Sequence, residues 1–149
     1  MEGFIFKSSD QLDKDQKKII EAAQSAIENS YSPYSKFAVG AAILLEDGKI
    51  IAGSNQENMA YPSGICAERA ALFAYGSQGL STKIIKLAVL ASSQQNGKLA
   101  ISTPCGACRQ VLLEYELKQE NEFEVIFYHN DNFVISSSAK VLLPFHFNF

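Results

Sequence analysis

The segments Cys66-Ala67-Glu68-Arg69 and Pro104-Cys105-Gly106-Ala107-Cys108 together hold all three cysteines of the chain. Three thiolates leave one position open on a tetrahedral zinc ion, which is typical of a catalytic site and not of a closed structural one. Glu68 lies two residues from the first thiol, where a carboxylate that does not bind the metal can move protons. The pattern predicts a catalytic zinc centre for a hydrolytic reaction, and the fold must bring the two segments together.

Helix geometry supports this grouping of the thiols. Cys105 and Cys108 are three residues apart, so they would share one face of a helix. Cys66 is expected in or just before the first turn of another helix, and helix N-termini favour the thiolate form that zinc binds. Small buried core cysteines, a redox-active Cys-x-x-Cys and half of a structural zinc site are the alternatives that spacing leaves open. His129 and His146 lie outside both segments, and we do not assign them as ligands.

Composition and charge narrow the classes of partner. The chain has 149 residues, of which 47% are hydrophobic and 19% charged, and a net charge of −3. These values are typical of one globular domain, 1–149. No run of Lys or Arg exceeds a pair, so DNA or long RNA is not expected as the main partner, because such binding depends on neutralising phosphates. A small neutral substrate is compatible with this charge.

The sequence gives no signal for export or membrane insertion. The N-terminus lacks a basic region followed by an apolar stretch of signal-peptide length, and no apolar run approaches the roughly 20 residues of a membrane span. Three cysteines cannot all pair within one chain, and clustered thiols in a reducing compartment are more often ligands than disulfides. We therefore expect a cytoplasmic protein with no membrane partner.

The first half of the chain predicts a helix and a hairpin. Apolar residues recur at helical spacing from about residue 9 to residue 30, with charged residues between them. Two apolar runs follow at 37–45 and 49–54, and the Asp47-Gly48 pair between them is a typical hairpin turn.

The second half predicts alternating helices and strands. Residues 65–76 and 103–118 are expected to form the cysteine-bearing helices, with Pro104 at the first helical position of the second. The apolar run 83–92 predicts a strand that is buried on both faces. The remaining expected elements are a polar loop at 93–98, hairpin strands at 123–128 and 132–135 around Asn130-Asp131, a short helix at 137–142 and an aromatic tail at 143–149. This order predicts a three-layer α/β/α fold with a mixed sheet of about five strands between helices.

Hydrolytic deamination of a nucleobase is the reaction that best matches three zinc ligands and a nearby free carboxylate. The residues closely resemble the cytidine deaminase family, specifically its small homotetrameric branch, and the resemblance implies that family's fold. It covers nearly the whole chain, from about Gln11 to Phe147. The matching segments are Tyr31-Ser32-Pro33-Tyr34-Ser35-Lys36-Phe37-Ala38-Val39-Gly40-Ala41-Ala42, Asn55-Gln56-Glu57-Asn58, Tyr61, Ile65-Cys66-Ala67-Glu68-Arg69, Pro104-Cys105-Gly106-Ala107-Cys108-Arg109-Gln110 and Leu142-Leu143-Pro144.

The resemblance implies an activity and the roles of the central residues. The expected reaction is zinc-dependent hydrolysis of cytidine and 2′-deoxycytidine to uridine and 2′-deoxyuridine with release of ammonia, a step of pyrimidine salvage. Cys66, Cys105 and Cys108 are expected to bind one Zn²⁺ per subunit. Glu68 is expected to take a proton from the attacking water and to protonate the base and the departing amino group. Arg69 would offset the negative charge of three thiolates.

The resemblance also implies a set of substrate contacts. The Ala67 N–H would bind O2 of the base, and the Thr103 carbonyl would face the 4-amino group. Asn55 and Glu57 match the pair that binds the ribose 3′-hydroxyl, and Phe37 matches the aromatic residue that contacts the pyrimidine.

Neighbouring subunits complete each site in this family, so the resemblance implies a homotetramer. Tyr61 and Phe147 match the residues that are contributed in this way. The tail is unusually aromatic, and Phe145 is an alternative to Phe147.

Two other functions remain open at this point. A related deaminase would act on another cytosine-containing nucleoside, such as a nucleoside antibiotic, although Asn55 and Glu57 favour an ordinary ribose. A zinc-stabilised structural or binding domain would have no use for the Glu68 carboxylate, so a Glu68→Gln variant distinguishes it from an enzyme.

Overall fold

A computed structural model describes residues 2–93 and 96–148. Within these ranges the elements follow the order β1 (Phe4–Lys7), α1 (Lys14–Ala26), β2 (Phe37–Leu45), β3 (Ile50–Ser54), α2 (Ala67–Ser77), β4 (Ile84–Ser93), β5 (Leu99–Ala100), α3 (Gly106–Gln119), β6 (Glu124–His129), β7 (Asn132–Ser136) and α4 (Ala139–Leu142). Short 3-10 turns lie at 9–11, 27–29 and 61–63. None of the helices in the described ranges is long and apolar enough to cross a bilayer.

The strands form one mixed sheet in the order β1-β7-β6-β4-β2-β3, and β5 pairs with β4 beside this path. β4 and β6 are parallel, and parallel neighbours need a crossover connection, which here runs through α3. The segment 101–105 leads from β5 into α3. Near the end of β6, the Ser102 N–H donates to the Tyr128 carbonyl, and the Tyr128 N–H donates to the Ser102 hydroxyl. The thiol-bearing start of α3 therefore lies at the carboxyl edge of the parallel pair, where ligands bind in α/β folds.

Alternate residues of the central strands bury opposite faces of the sheet. Ala42 and Leu44 belong to a core cluster with Ile19 of α1, whereas Ala41 and Ile43 belong to a cluster with residues of α2 and α3. This alternation follows from the two-residue period of a strand. The predicted arrangement of a mixed sheet between two helical layers is confirmed.

Both predicted hairpins are present. Gly48 has a φ of 86° in the β2–β3 turn, and Asn130 and Asp131 have φ values of 47° and 62° in the β6–β7 turn. Positive φ at both central residues is the requirement of a two-residue type I′ turn, and Asn and Asp tolerate it better than other side chains.

Glycine at two strand positions lets the helices approach the sheet closely. A Cβ on Gly40 would clash with the Ala23 carbonyl oxygen of α1. A Cβ on Gly53 would lie 2.5 Å from the Ala71 nitrogen and 2.8 Å from the Ala67 carbonyl oxygen of α2. Contacts that short do not accommodate a side chain, so Gly53 helps to set the position of α2 and of the cysteine at its start.

Among the described residues the sheet has seven strands, so the expectation of about five was low. β1 has only four residues, and it pairs with β7, with Phe4 opposite Ser136. β5 has two residues, which pair with Ser92 and Ala91 of β4. Segments this short have no period of their own, and their partners lie elsewhere in the sequence. The predicted polar loop 93–98 includes Gln94 and Gln95, which lie outside the described residues.

Within the described residues, the four predicted helices begin two to five residues later than expected, and N-caps explain this for α1 and α3. Asp13 accepts a hydrogen bond from the Gln16 N–H at 2.8 Å, and this capping box fixes the start of α1 at Lys14. Cys105 is the N-cap of α3, with extended φ and ψ values of −69° and 166°. The placement of Pro104 at the first helical position was therefore wrong, and Gly106 occupies that position.

Candidate metal centre and substrate cleft

The three thiols meet at the N-termini of α2 and α3. Cys66 and Cys105 are the N-cap residues of the two helices, and neither side chain caps its own helix. Cys108 is the third residue of α3 and is fully buried, whereas Cys66 is half-buried and Cys105 is exposed. The three Sγ atoms lie within 4.8 Å of one another. The structure therefore brings together the three residues that the sequence predicts as metal ligands.

The cluster favours negative charge on sulfur. Arg69 Nη2 donates to Cys66 Sγ at 3.5 Å. Hydrogen bonding to Cys108, supported by Arg69, lowers the pKa of the Cys66 thiol to about 5. The same contact with Cys66, together with burial, raises the pKa of Cys108. One sulfur is thus a thiolate at neutral pH, and a bound cation would deprotonate the others.

This donor set fits zinc. Three ligands that each lie about 2.3 Å from a tetrahedral ion are about 3.8 Å apart, which the spacing of the Sγ atoms allows. Thiolates select soft and borderline metals over Mg²⁺ or Ca²⁺. His129 and His146 do not join this group of ligand atoms, so three protein ligands would leave a fourth position for water or substrate.

Glu68 is a buried carboxyl group beside the thiols. It is the second residue of α2 and is 5% exposed. Burial raises its pKa above the usual value for glutamate. A carboxyl group with a raised pKa is suited to both accepting and donating protons near neutral pH.

The thiols and Glu68 open onto a cleft with a volume of about 620 Å³, which lies within the range of roughly 300–1,000 Å³ for small-molecule sites. Ten of the residues singled out in the sequence line it, namely Phe37, Asn55, Glu57, Tyr61, Cys66, Ala67, Glu68, Arg69, Thr103 and Cys105. These residues come from β2, the end of β3, the start of α2 and the segment before α3. The cleft therefore collects most of the predicted site from distant parts of the chain.

Asn55 and Glu57 are held by the backbone at one end of the cleft. Asn55 Oδ1 accepts from the Val39 N–H at 2.9 Å, and its Nδ2 donates to the Phe37 carbonyl at 3.0 Å. Glu57 Oε2 accepts from the Tyr34 N–H at 2.9 Å, and hydrogen bonding from Ser35 lowers its pKa. Each side chain is thus fixed in orientation. Asn55 Nδ2 has a second hydrogen, and the Glu57 carboxylate has further lone pairs, with which to bind a ligand.

The segment before α3 is fixed across the ends of two strands. The buried Ser102 hydroxyl donates to the Val89 carbonyl at 2.8 Å and accepts from the Tyr128 N–H at 2.9 Å. Thr103 Oγ1 lies 3.3 Å from His129 Nδ1. These contacts hold the Thr103 backbone at the wall of the cleft.

Sequence reasoning missed several lining residues. Val89 and Ala91 of β4 and Ile101 line the cleft but carry no polar group that would mark them. Val89 and Ala91 are two positions apart, so they lie on one face of β4. This spacing was the available signal in the sequence. It identifies residues that line the cleft only once the structure shows which face of β4 borders it.

The residues predicted to contact a neighbouring subunit are largely exposed. Tyr61 is 78% exposed at the mouth of the cleft, with its ring 6.5 Å from that of Tyr34. Phe147 is 69% exposed and is not among the described residues that line the cleft. Phe145 is 93% exposed.

Comparison with known proteins agrees with this geometry. Residues 13–121 match the family model described as the cytidine and deoxycytidylate deaminase zinc-binding region. A cytidine deaminase of Halalkalibacterium halodurans is 44% identical over 100 residues, which are 67% of this chain and 71% of the relative. A probable cytidine deaminase of Dictyostelium discoideum is 41% identical over 128 residues, which are 86% of this chain and 80% of the relative.

Solved structures show the same fold. The crystal structure of a cytidine deaminase from Burkholderia pseudomallei superimposes with a TM-score of 0.72 at 38% identity, over 88% of this chain and 98% of that one. The crystal structure of a cytidine deaminase from Mycobacterium tuberculosis gives a TM-score of 0.68 at 34% identity, over 92% of this chain and 100% of that one.

Proposed function

The chain belongs to the cytidine deaminase family, and from this membership we propose that it hydrolyses cytidine and 2′-deoxycytidine to the corresponding uridines and ammonia. One observation carries the proposal: three clustered thiols adjoin a buried carboxyl group in a cleft large enough for a nucleoside. Such a reaction serves the salvage of pyrimidine nucleosides. The direct test is conversion of cytidine to uridine by purified protein whose zinc content is measured in the same sample.

Cys66, Cys105 and Cys108 would hold zinc, which would supply Lewis acidity for hydrolysis at neutral pH. Glu68 takes a proton from a water molecule as the water oxygen bonds to C4 of the cytosine, and it passes that proton to N3. Glu68 then takes the remaining proton from the new hydroxyl group and delivers it to the 4-amino group, the C4–N bond breaks, and ammonia leaves. The oxygen of the water becomes the 4-carbonyl oxygen of uridine, so the sequence of steps balances without another reactant.

The remaining groups orient the base and adjust the charge of the site. Ala67 is the first residue of α2, so helix geometry leaves its N–H without an intrahelical acceptor, and we assign it to O2 of the base. The Thr103 carbonyl accepts from the 4-amino group, and Phe37 contacts the pyrimidine ring. The Arg69 guanidinium offsets part of the charge of three thiolates, which keeps the bound cation electrophilic.

We assign Asn55 and Glu57 to the 3′-hydroxyl of the sugar. An amide donor and a carboxylate acceptor satisfy both functions of one hydroxyl group. This assignment favours nucleosides with an ordinary ribose or deoxyribose over nucleoside antibiotics with altered sugars.

Glu57→Gln is expected to raise the KM for cytidine by about tenfold or more, because a hydrogen bond to a charged group contributes roughly 1.5–3 kcal/mol. This rise in KM should disappear with 3′-deoxycytidine, which lacks the 3′-hydroxyl group. The measurement is kcat and KM of both proteins with both nucleosides. An equal loss on the two substrates would remove Glu57 from the sugar site.

We also propose that the protein is a cytoplasmic homotetramer with sites shared between subunits. The three uncrosslinked thiols suit a reducing compartment. Tyr61 at the cleft mouth and Phe147 on the tail expose large aromatic surfaces, as residues that contact a neighbouring chain would in an isolated subunit.

Light scattering is expected to give a mass four times the 16.3 kDa of one chain. Co-expression of differently tagged Glu68→Gln and Phe147→Ala chains is expected to give mixed oligomers with more activity than either pure variant, because each chain supplies what the other lacks. Fully active monomers would refute the shared site.

A further inference from the structure

The side-chain amide of Gln110 ties the C-terminal tail to α3, the helix that carries Cys108. Gln110 Nε2 donates to the Phe147 carbonyl at 3.0 Å, and the Phe147 N–H donates to Gln110 Oε1 at 3.2 Å. Gln110 lies two residues after Cys108 on α3. The side-chain amide of Gln110 thus pairs with both polar groups of the Phe147 backbone, because its NH₂ group donates to the carbonyl and its oxygen accepts from the N–H.

Arg109 makes a second tie between the same parts of the molecule. Its Nε donates to the Pro104 carbonyl at 2.8 Å, and its Nη1 donates to the Leu142 carbonyl at 3.3 Å. Pro104 directly precedes Cys105, and Leu142 is the last residue of α4. The guanidinium therefore joins the thiol-bearing turn to the point where the tail begins, and Gln110 holds the tail further along.

These contacts distinguish Phe147 from Phe145. The Phe147 backbone is held at two atoms, and the residue as a whole remains 69% exposed. None of the described tail residues lines the cleft of its own chain. A ring that is fixed at its backbone and projects from the surface is suited to the cleft of a second copy.

We infer that Gln110 is a positioning residue that orients Phe147 for the substrate cleft of a neighbouring subunit. The inference rests on the proposed deaminase with shared sites. It assigns the tail contact to Phe147 and makes that contact depend on the same helix that carries Cys105 and Cys108. In this arrangement α3 carries ligands of the metal site of its own subunit and also holds the aromatic residue that the subunit contributes to the cleft of its neighbour.

The test compares Gln110→Met, which keeps the length of the side chain and removes both hydrogen-bonding groups, with wild type. Gln24→Met makes the same chemical change on an exposed position of α1 and serves as the control. Exchange of the Phe147 amide hydrogen, measured by NMR, reports the tie independently of catalysis. Steady-state kinetics with cytidine are measured in the wild-type and Phe147→Ala backgrounds.

Gln110→Met is expected to speed exchange of the Phe147 amide and to raise the KM about fivefold to tenfold, the ratio that corresponds to one net hydrogen bond. The kcat should stay within about twofold, because a loss of uniform binding changes KM alone. In the Phe147→Ala background the same substitution should have no further effect on KM. Gln24→Met should change none of these quantities.

Three results would overturn the inference. They are an unchanged Phe147 amide, faster exchange with no change in KM, and an equal rise in KM in the Phe147→Ala background. Wild-type protein that carries zinc but does not convert cytidine would instead refute the proposed function, and the amide exchange would still show whether Gln110 holds the tail.

Discussion

Glu68→Gln is expected to abolish measurable turnover of cytidine while zinc stays bound. The amide has nearly the shape of the carboxyl group but cannot take a proton from water or return one to the leaving amino group. A positioned acid–base group contributes about 10²–10⁴ in rate, and here one group serves both transfers, so we expect a loss at the upper end of that range. The raised pKa and low exposure of Glu68 fit this role.

The matched control is Glu21→Gln, which makes the same change at an exposed position of α1. It should leave kcat, KM and zinc content unchanged. Turnover of the Glu68→Gln variant within tenfold of wild type at equal zinc content would exclude Glu68 as the proton carrier. Loss of zinc from that variant would contradict the assignment of Glu68 as a group that does not bind the metal.

Cys105→Ala is expected to lose zinc and, with it, both activity and stability. The Cys105 side chain is exposed, so its removal deletes little packing, and the effect on folding should come almost entirely from the metal. Zinc at a hundredfold to a thousandfold above its Kd stabilises the folded state by about 3–4 kcal/mol. The free energy of unfolding of the variant, measured by denaturant titration, should therefore be lower than that of zinc-loaded wild type by that amount.

Removal of zinc with a chelator separates the contribution of the metal to stability from that of side-chain packing. Wild type stripped of zinc and Cys105→Ala should then have equal free energies of unfolding. Gly106→Ala is the control, because a Cβ at Gly106 meets no atom within 4 Å, and it should retain zinc. A Cys105→Ala protein with a full complement of zinc would refute the ligand assignment.

The thiol cluster could be predicted from sequence because its signals are local. Cys105 and Cys108 have helical spacing, and Cys66 precedes a run of helix-forming residues. The partial positive charge at a helix N-terminus stabilises a thiolate, so both positions favour metal-binding sulfur. The meeting of α2 and α3 was then required by the metal chemistry, and the close packing of α2 at Gly53 helps to achieve it.

Other features depend on distant partners that no local pattern reveals. β1 is a strand because it pairs with β7, which is distant in the sequence. The start of α3 is fixed by the extended backbone of Cys105. Ser102 and Gln110 looked like ordinary polar residues in the sequence. Their importance comes from hydrogen bonds to Val89, Tyr128 and Phe147, which require the folded chain.

The most direct test of the central claim is the yield of uridine and ammonia from cytidine, with wild type and Glu68→Gln compared at equal measured zinc. We predict one ammonia for each uridine formed by wild type and no product above background from the variant. Zinc-loaded wild type that converts neither cytidine nor 2′-deoxycytidine would contradict the proposed activity.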